Sequence, residues 1–265
     1  MLLSLDTGAS ALDQFQNQIN VIANNIANVN TVGFKQADVN FEDTLSETLG
    51  SNDAGTMQIG TGVNTASILK DFSTPGTIAN TGVQSDLAID GNGFFVVKDP
   101  SSGTSYVTQD GAFTVDNTGY LVTSNGMRLQ GSTGDLQIAP GSGSTATVAG
   151  YTIGTDGTVT VQLSDGTTNA AGQIMLQSFS NPDQLVSVGN NLYTAPAAAG
   201  GLTAAVAPSA SGPGTIDTSS LEMSNVDLAG QLTALISAQR AYEANSKVIT
   251  TSDNILQTLI NLKQG

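Results

Sequence analysis

The chain has no cysteine, no histidine and no tryptophan in 265 residues, and aromatic residues make up only 5% of it. Without His or Cys, nucleophile–histidine–acid catalysis has no members to assemble, and zinc loses the ligands that nearly all its protein sites use. With no Cys there is no disulfide framework. Basic residues are scarce as well: seven Lys and Arg stand against 22 acids, for a net charge of −15. Nucleic acid, which is held through cationic contacts to phosphates, is a poor partner for such a chain, and an anionic membrane surface repels it. No apolar run approaches the length of a bilayer span, so no membrane insertion is expected. The start, Met1-Leu2-Leu3-Ser4-Leu5-Asp6, lacks the basic region, sustained apolar run and cleavage site of a Sec signal peptide.

The charge is unevenly spread. Residues 1–34 hold Asp6 and Asp13 and no base, and residues 225–265 hold three acids and three bases, so −13 of the −15 falls in residues 35–224. Near-neutral ends can crowd against copies of themselves, while an acidic middle suits solvent.

The ends also carry the regular apolar pattern. Leu228, Leu235, Tyr242, Ile249 and Leu256 recur every seven residues, and Leu232 and Ile260 fall four after two of them. This spacing predicts a helix with a heptad seam over Leu228 to Lys263, about 54 Å long, with Ser224 and Asp227 as a capping box. Gln239, Ser246 and Asp253 occupy the second seam position of their heptads, where polar residues specify register at a cost in stability. At the other end Leu5, Leu12, Ile19 and Ile26 are spaced by seven, as are Phe15, Ile22 and Val29. The simplest packing sets the two terminal helices side by side. Two helices cannot cover both seams, and leftover apolar surface on a long rod calls for further copies of the chain. Asn24, Asn25, Asn28 and Asn30 lie in and just beyond the first helix and read as polar contacts within a helix pack. Gly33 reads as its stop.

Between the ends the chain reads as β-structure. Phe41–Leu45 suggests a short helical turn, Ser51–Gly62 an exposed loop, and Val63–Phe72 an edge strand. From Thr81 to Thr194, Asp-Gly and Asn-Gly pairs at 110–111, 125–126, 156–157 and 165–166, and Asp90-Gly91-Asn92-Gly93, sit between short strand-forming runs, the hairpin signal of an antiparallel domain. Ala195–Gly214 reads as a linker. The expected class is therefore α+β: residues 1–34 with 222–265 as a helical core domain, 35–80 with 195–221 as a connecting region, and 81–194 as the central β domain. Asp90-Gly91-Asn92-Gly93 opens like a calcium loop. Phe94 replaces an oxygen ligand and Ser101 the closing Glu, so a turn is the better reading, and no cofactor is expected. A carboxylate-pair hydrolase stays formally open, but most acids sit beside Gly or Asn in turns.

Three stretches carry a resemblance to a known family. Asn24-Asn25-Ile26-Ala27-Asn28 with Thr31 and Gly33-Phe34-Lys35 resembles the N-terminal signature of the bacterial flagellar rod and hook proteins. Ser224-Asn225-Val226-Asp227 with Gln239-Arg240-Ala241-Tyr242 and Asn245-Ser246-Lys247 resembles their C-terminal signature. Asp86-Leu87-Ala88-Ile89, Gly91 and Gly93-Phe94-Phe95 with Arg128 resembles their shared β domain. The resemblance implies a structural subunit exported through the flagellar type III channel. Its paired helices line a tube, and its β domain faces outward. Its partners would be other copies of itself, other axial proteins, an assembly cap and the export apparatus. The polymer contacts implied are Leu5, Leu12, Phe15, Ile19, Ile22, Asn24, Asn25, Ile26, Asn28, Leu228, Leu232, Leu235, Gln239, Arg240, Tyr242, Asn245, Ile249, Leu256 and Ile260. Asp71–Ile78 with Asn80-Thr81-Gly82, and Thr258–Lys263, resemble hook proteins, which tips the reading slightly to the hook. The chain's length and Met57–Val63 suit the distal rod. In this family a long stiff insertion after the first helix goes with a straight rod and a short one with a bendable hook, and residues 36–62 look intermediate. A secreted β-rich binding module is the rival of another class.

Overall fold

The computed structural model describes residues 2–52, 55–140, 146–202, 205–209 and 212–264. The fold is α+β, as expected, and the chain divides into two compact units. One comprises Met1–Asn28, Gln36–Lys70 and Val226–Gly265, and the other Val29–Lys35 and Asp71–Asn225.

The first unit is built on two long helices, α1 (Leu2–Ala27) and α2 (Leu228–Gln264). At 37 residues α2 is about 55 Å long. Its start is where the spacing predicts, but the cap is Asp227 itself rather than a Ser224–Asp227 box. The Asp227 carboxylate accepts the Ala229 N–H at 3.1 Å, and its carbonyl accepts the first helical bond, from the Gln231 N–H at 2.9 Å. The last bonds of α1 come from Asn28, whose N–H and side-chain amide both donate to the Asn24 carbonyl, at 3.1 and 2.9 Å. Gly33 is not the helix stop. It lies six residues past Ala27, at φ +65, where an added Cβ would sit 2.8 Å from the Asp110 nitrogen. Close backbone approach, not capping, demands glycine there.

Between the helices in sequence, residues 37–70 form a two-stranded ribbon. Strand β1 (Ala37–Asp43) pairs antiparallel with β4 (Val63–Lys70), Ala37 opposite Lys70. Beyond them β2 (Ser46–Asn52) pairs with β3 (Gly55–Gly60), Ser46 opposite Gly60. The Thr44 N–H bonds to the Gly62 carbonyl at 3.0 Å and carries the ladder across the joint. Two expectations are thereby corrected. Phe41–Asp43 is strand rather than helical turn, and the described residues of 51–60 are strand rather than loop. Their Gly-, Asn- and Thr-rich composition reads as loop, yet their backbones pair in a two-stranded ladder. At about 3.3 Å per residue, one leg of the ribbon spans about 50 Å, nearly the length of α2.

The second unit is antiparallel β. Its largest sheet runs Val186–Gly189, Leu192–Thr194, Ser105–Thr108, Phe94–Lys98, Arg128–Gly131, Leu121–Val122, Thr114–Val115. A meander of Val148–Ile153, Thr158–Leu163 and Thr168–Gln173 follows the 156–157 and 165–166 turns as expected, and Asn125-Gly126 closes the expected hairpin. The hairpins expected at Asp90–Gly93 and Asp110–Gly111 do not form. Leu87–Asp90 pairs instead with Thr215–Thr218, and an added Cβ on Gly111 would lie 1.6 Å from the Leu87 carbonyl oxygen. These glycines admit a neighbouring backbone rather than turn a hairpin. The core holds Leu87, Phe95, Val97, Leu121, Leu129, Val159, Val161, Leu176 and Ile216, and Phe72, Phe94, Val107 and Tyr193 form a smaller cluster. The described part of 195–214 is no free linker: Val206 and Leu176 exchange backbone hydrogen bonds at 2.8 and 2.9 Å.

Candidate functional site

In the first unit α1 packs against α2 and, on another side, against the ribbon. Of the predicted contact residues on α1, Ile22 and Asn25 are buried, and Leu5, Leu12, Phe15, Ile19, Ile26 and Asn28 are half-buried. Asn24 is exposed. Phe15 meets Phe41 of β1 edge to face, ring centres 6.2 Å apart. Gly8 packs against Ile249, where an added Cβ would fall 3.2 Å from the isoleucine Cγ1.

Asn25 is the polar centre of this pack. Its side-chain amide donates to the Ala37 carbonyl at 2.9 Å and to Gln231 Oε1 at 3.1 Å, and its Oδ1 accepts the Ala37 N–H at 3.0 Å. One buried side chain thus ties α1 to the ribbon and to α2. An unmet partner at any of these sites would carry a desolvation penalty, so the three bonds specify one register.

On α2, Leu235, Tyr242, Asn245, Ile249 and Leu256 are half-buried, while Leu228, Leu232, Gln239, Arg240 and Ile260 are exposed. The intrachain seam runs through Gln231, Ala238, Asn245 and Ser252, three residues after each heptad position rather than four. Gln239 and Asp253 are exposed and do not sit in it. The true second row is small or polar, so apolarity alone gave no sign of it, although its sevenfold spacing is in the sequence. Off the seam row α2 presents Leu228, Leu232, Ile236, Val248, Ile255, Ile260 and Leu262, each 43% exposed or more, and Leu259, the next residue of the row after Ser252, is 47% exposed as well. An isolated surface helix has no use for so many exposed apolar side chains.

In the second unit, the legs of chain leading to and from the helices are locked together by a buried ion pair. Lys35 Nζ donates to Glu222 Oε1 at 2.8 Å, the side chains 2% and 4% exposed. The same carboxylate oxygen accepts the Gly76 N–H at 2.8 Å, and the Glu222 carbonyl accepts the Gly33 N–H at 2.9 Å. Asn225 donates to the carbonyls of Asp71 and Thr74, both at 3.1 Å. Gly76 has no alternative, since a Cβ there would stand 1.8 Å from the Met223 oxygen. Sequence reasoning missed Glu222 altogether; a lone acid with its base 187 positions away leaves no local signal.

Elsewhere in this unit the acids close their own turns. Asp156 and Asp165 each accept the hydroxyl and N–H of the Thr two residues on, with hydroxyl distances of 2.7 and 2.6 Å, and Thr118 serves Asp116 likewise. These bonds hold the three carboxyls below their ordinary range, and Ser101 with Ser102 holds Asp99 down at about 2. Burial pushes the Asp110 carboxyl up, and pushes the Tyr193 hydroxyl to about 12. Arg128 bonds Asp135 at 2.9 Å and lies 3.9 Å over the Tyr120 ring. Among the described residues no group of His, Cys, Asp or Glu is arranged to hold a metal, and no helix is long and apolar enough to cross a membrane.

Comparison with known proteins converges on the same three stretches. Residues 5–35 match the family described as flagella basal body rod protein, residues 88–161 the flagellar hook protein FlgE/F/G D1 domain, and residues 218–262 the flagellar basal body rod FlgEFG protein C-terminal. The flagellar basal-body rod protein FlgG of Bacillus subtilis is 43% identical over the full length of both chains. The chain belongs to the flagellar rod and hook protein family. The FlgG of Caulobacter vibrioides is 38% identical over 98% of this chain and 99% of its own length. The flagellar hook protein FlgE of Treponema pallidum is 42% identical, but over 49% of this chain and 30% of its own. This member of the family is a structural subunit of the flagellar axis, with the buried Asn25 and the Lys35–Glu222 pair inside its matched terminal segments.

Proposed function

We propose that the chain is the rod-type subunit, polymerising into a straight tube that transmits torque, with α1 and α2 forming the wall and the β unit outside it. The observation that carries this reading is the 37–70 ribbon, two antiparallel ladders joined by the Thr44–Gly62 bond and together nearly as long as α2, the inner one packed on α1 in the same unit. It is the long stiff insertion that goes with a straight shaft. Full-length similarity to rod proteins, against a half-length match to a hook protein, supports the rod over the hook to which the sequence alone leaned. The predicted contact residues of both helices are assigned to the wall, together with residues 1–34 and 222–265 as its working part and 81–194 as the outer part. The exposed apolar side chains of α2 support burial by other copies.

The same reading assigns export through the flagellar type III channel and a place among other axial proteins, and it assigns no catalytic step and no cofactor. Electron microscopy of assemblies of the purified chain tests it. Straight tubes are expected; curved tubes would make the chain a hook subunit. A monomer at every concentration in sedimentation, with both helices ordered, would favour a secreted binding module instead.

A further inference from the structure

The outer faces of the two helices differ in charge and share a spacing. Asp6 and Asp13 are exposed on α1, seven residues apart, and Asn20 continues the row. Arg240 and Lys247 are exposed on α2, also seven apart. Seven residues advance about 10.5 Å along a helix and return to nearly the same angle, so each pair forms a short ladder with the same step. Both ladders lie opposite the α1–α2 seam, which contains Gly8 and Ile22 on one helix and Ala238, Asn245 and Ser252 on the other. Arg240 is held only by Glu243, at 3.0 Å and largely exposed, and among the described residues Lys247 has no acid partner.

We infer that the outer face of α2 in one copy docks against the outer face of α1 in a second copy, with Lys247 meeting Asp6 and Arg240 meeting Asp13. The inference rests on the self-assembly reading above and specifies its contact. The helices run antiparallel within a chain, as Gly8 opposite Ile249 and Asn25 bonded to Gln231 establish. In a polymer whose copies share one direction, α1 of one copy and α2 of the next are antiparallel too. Setting Asp6 opposite Lys247 then brings Asp13 opposite Arg240 at once. Relative to the intrachain register the second copy is shifted by about three to four residues, an axial offset of about 5 Å. Ala9 lies between the two acids on an exposed α1 position and lets the helices approach, while Ile236 and Ile255 flank the bases with apolar surface to bury. The two faces are unlike, so the contact is head-to-tail and propagates rather than closing as a dimer.

The test uses the purified full-length chain, pelleted over rising concentration. Asp6→Lys and Lys247→Asp are each expected to raise the polymerisation threshold about two- to fivefold, the weight of one exposed ion pair per contact. Asp6→Lys combined with Lys247→Asp is expected to return it to within about twofold of wild type. Because the chain has no cysteine, Ala9→Cys with Ala244→Cys introduces the only two thiols, which this register sets opposite each other between copies. A short bis-maleimide should then link polymers into a ladder of multimers and leave dilute monomer unlinked. Unchanged thresholds in both single variants, a double variant no better than the worse single one, or polymers without a ladder would each overturn the contact while leaving self-assembly standing. A wild-type chain that never pellets would instead remove the self-assembly reading, and this contact with it.

Discussion

Glu222→Gln is the most informative single change in the β unit. The substitution keeps an oxygen to accept the Gly76 N–H, which now bonds at 2.8 Å, and removes only the charge facing Lys35. The Lys35 ammonium, 2% exposed, is then left without a counter-ion and keeps only neutral acceptors, the Gln oxygen and the Thr74 carbonyl at 3.4 Å. Removing one partner of a buried pair costs about 3–5 kcal/mol, mostly as the penalty on the stranded charge. Lys35→Met strands the carboxylate instead and is expected to cost about as much. The double variant strands neither and keeps the Gly76 bond, so its loss should be about 1–2 kcal/mol, far below the sum of the single losses. Urea unfolding followed by circular dichroism measures all three, since the transition midpoint shifts with stability while the slope holds. A loss under about 1 kcal/mol for Glu222→Gln, or single losses that simply add, would refute the claim that this pair locks the two chain legs.

Three further outcomes are expected. Asn25→Leu removes three hydrogen bonds and leaves Gln231 and Ala37 unmet, so it should weaken the polymer by about 2–4 kcal/mol per subunit, read as a raised polymerisation threshold, with the β unit's urea midpoint unchanged. Asp110→Asn should be neutral or stabilising by up to about 1 kcal/mol at neutral pH, because the folded state binds a proton at Asp110 more tightly than the unfolded chain does. The aspartates of the turns have the opposite sign: their contribution is complete above the ordinary carboxyl range and is lost as pH falls through their depressed values, about 2 for Asp99, so acid unfolding monitored from pH 5 downward should show both effects. Deleting Ile255–Gly265 removes the exposed Ile255, Leu259, Ile260 and Leu262 and should abolish polymer in pelleting assays, with the β unit still folded by circular dichroism.

Much of this architecture was legible in the sequence where the signal is local. Heptad spacing found both helices and placed the C-terminal one almost to the residue, while the first ends at Ala27, short of the expected stop at Gly33, and the Asn125-Gly126, Asp156-Gly157 and Asp165-Gly166 pairs marked real turns. What was not legible is non-local. The partner of Leu87–Asp90 lies at Thr215–Thr218, and no turn chemistry connects them. The ribbon's outer half hid in Gly, Ser and Thr, residues that signal loop locally, while the ladder bonds that pair it join residues across the turn. In the seam, Gln231, Ala238 and Ser252 do what large apolar residues usually do, since close helix approach at Gly8 and the Asn25–Gln231 bond replace bulk there. Lys35 was visible as part of a motif, but its role needed Glu222 beside it.

The physical claim beneath the functional reading is that α1 and α2 are stabilised by neighbouring copies, because the exposed apolar residues of α2, on which α1 packs, have nothing to cover them among the described residues of a single chain. Amide hydrogen exchange measured residue by residue, on dilute monomer and on polymer, tests this most directly. Slow exchange across 2–27 and 228–264 is expected in the polymer alone, with the β unit protected in both. Equal protection of both helices in dilute monomer would contradict it.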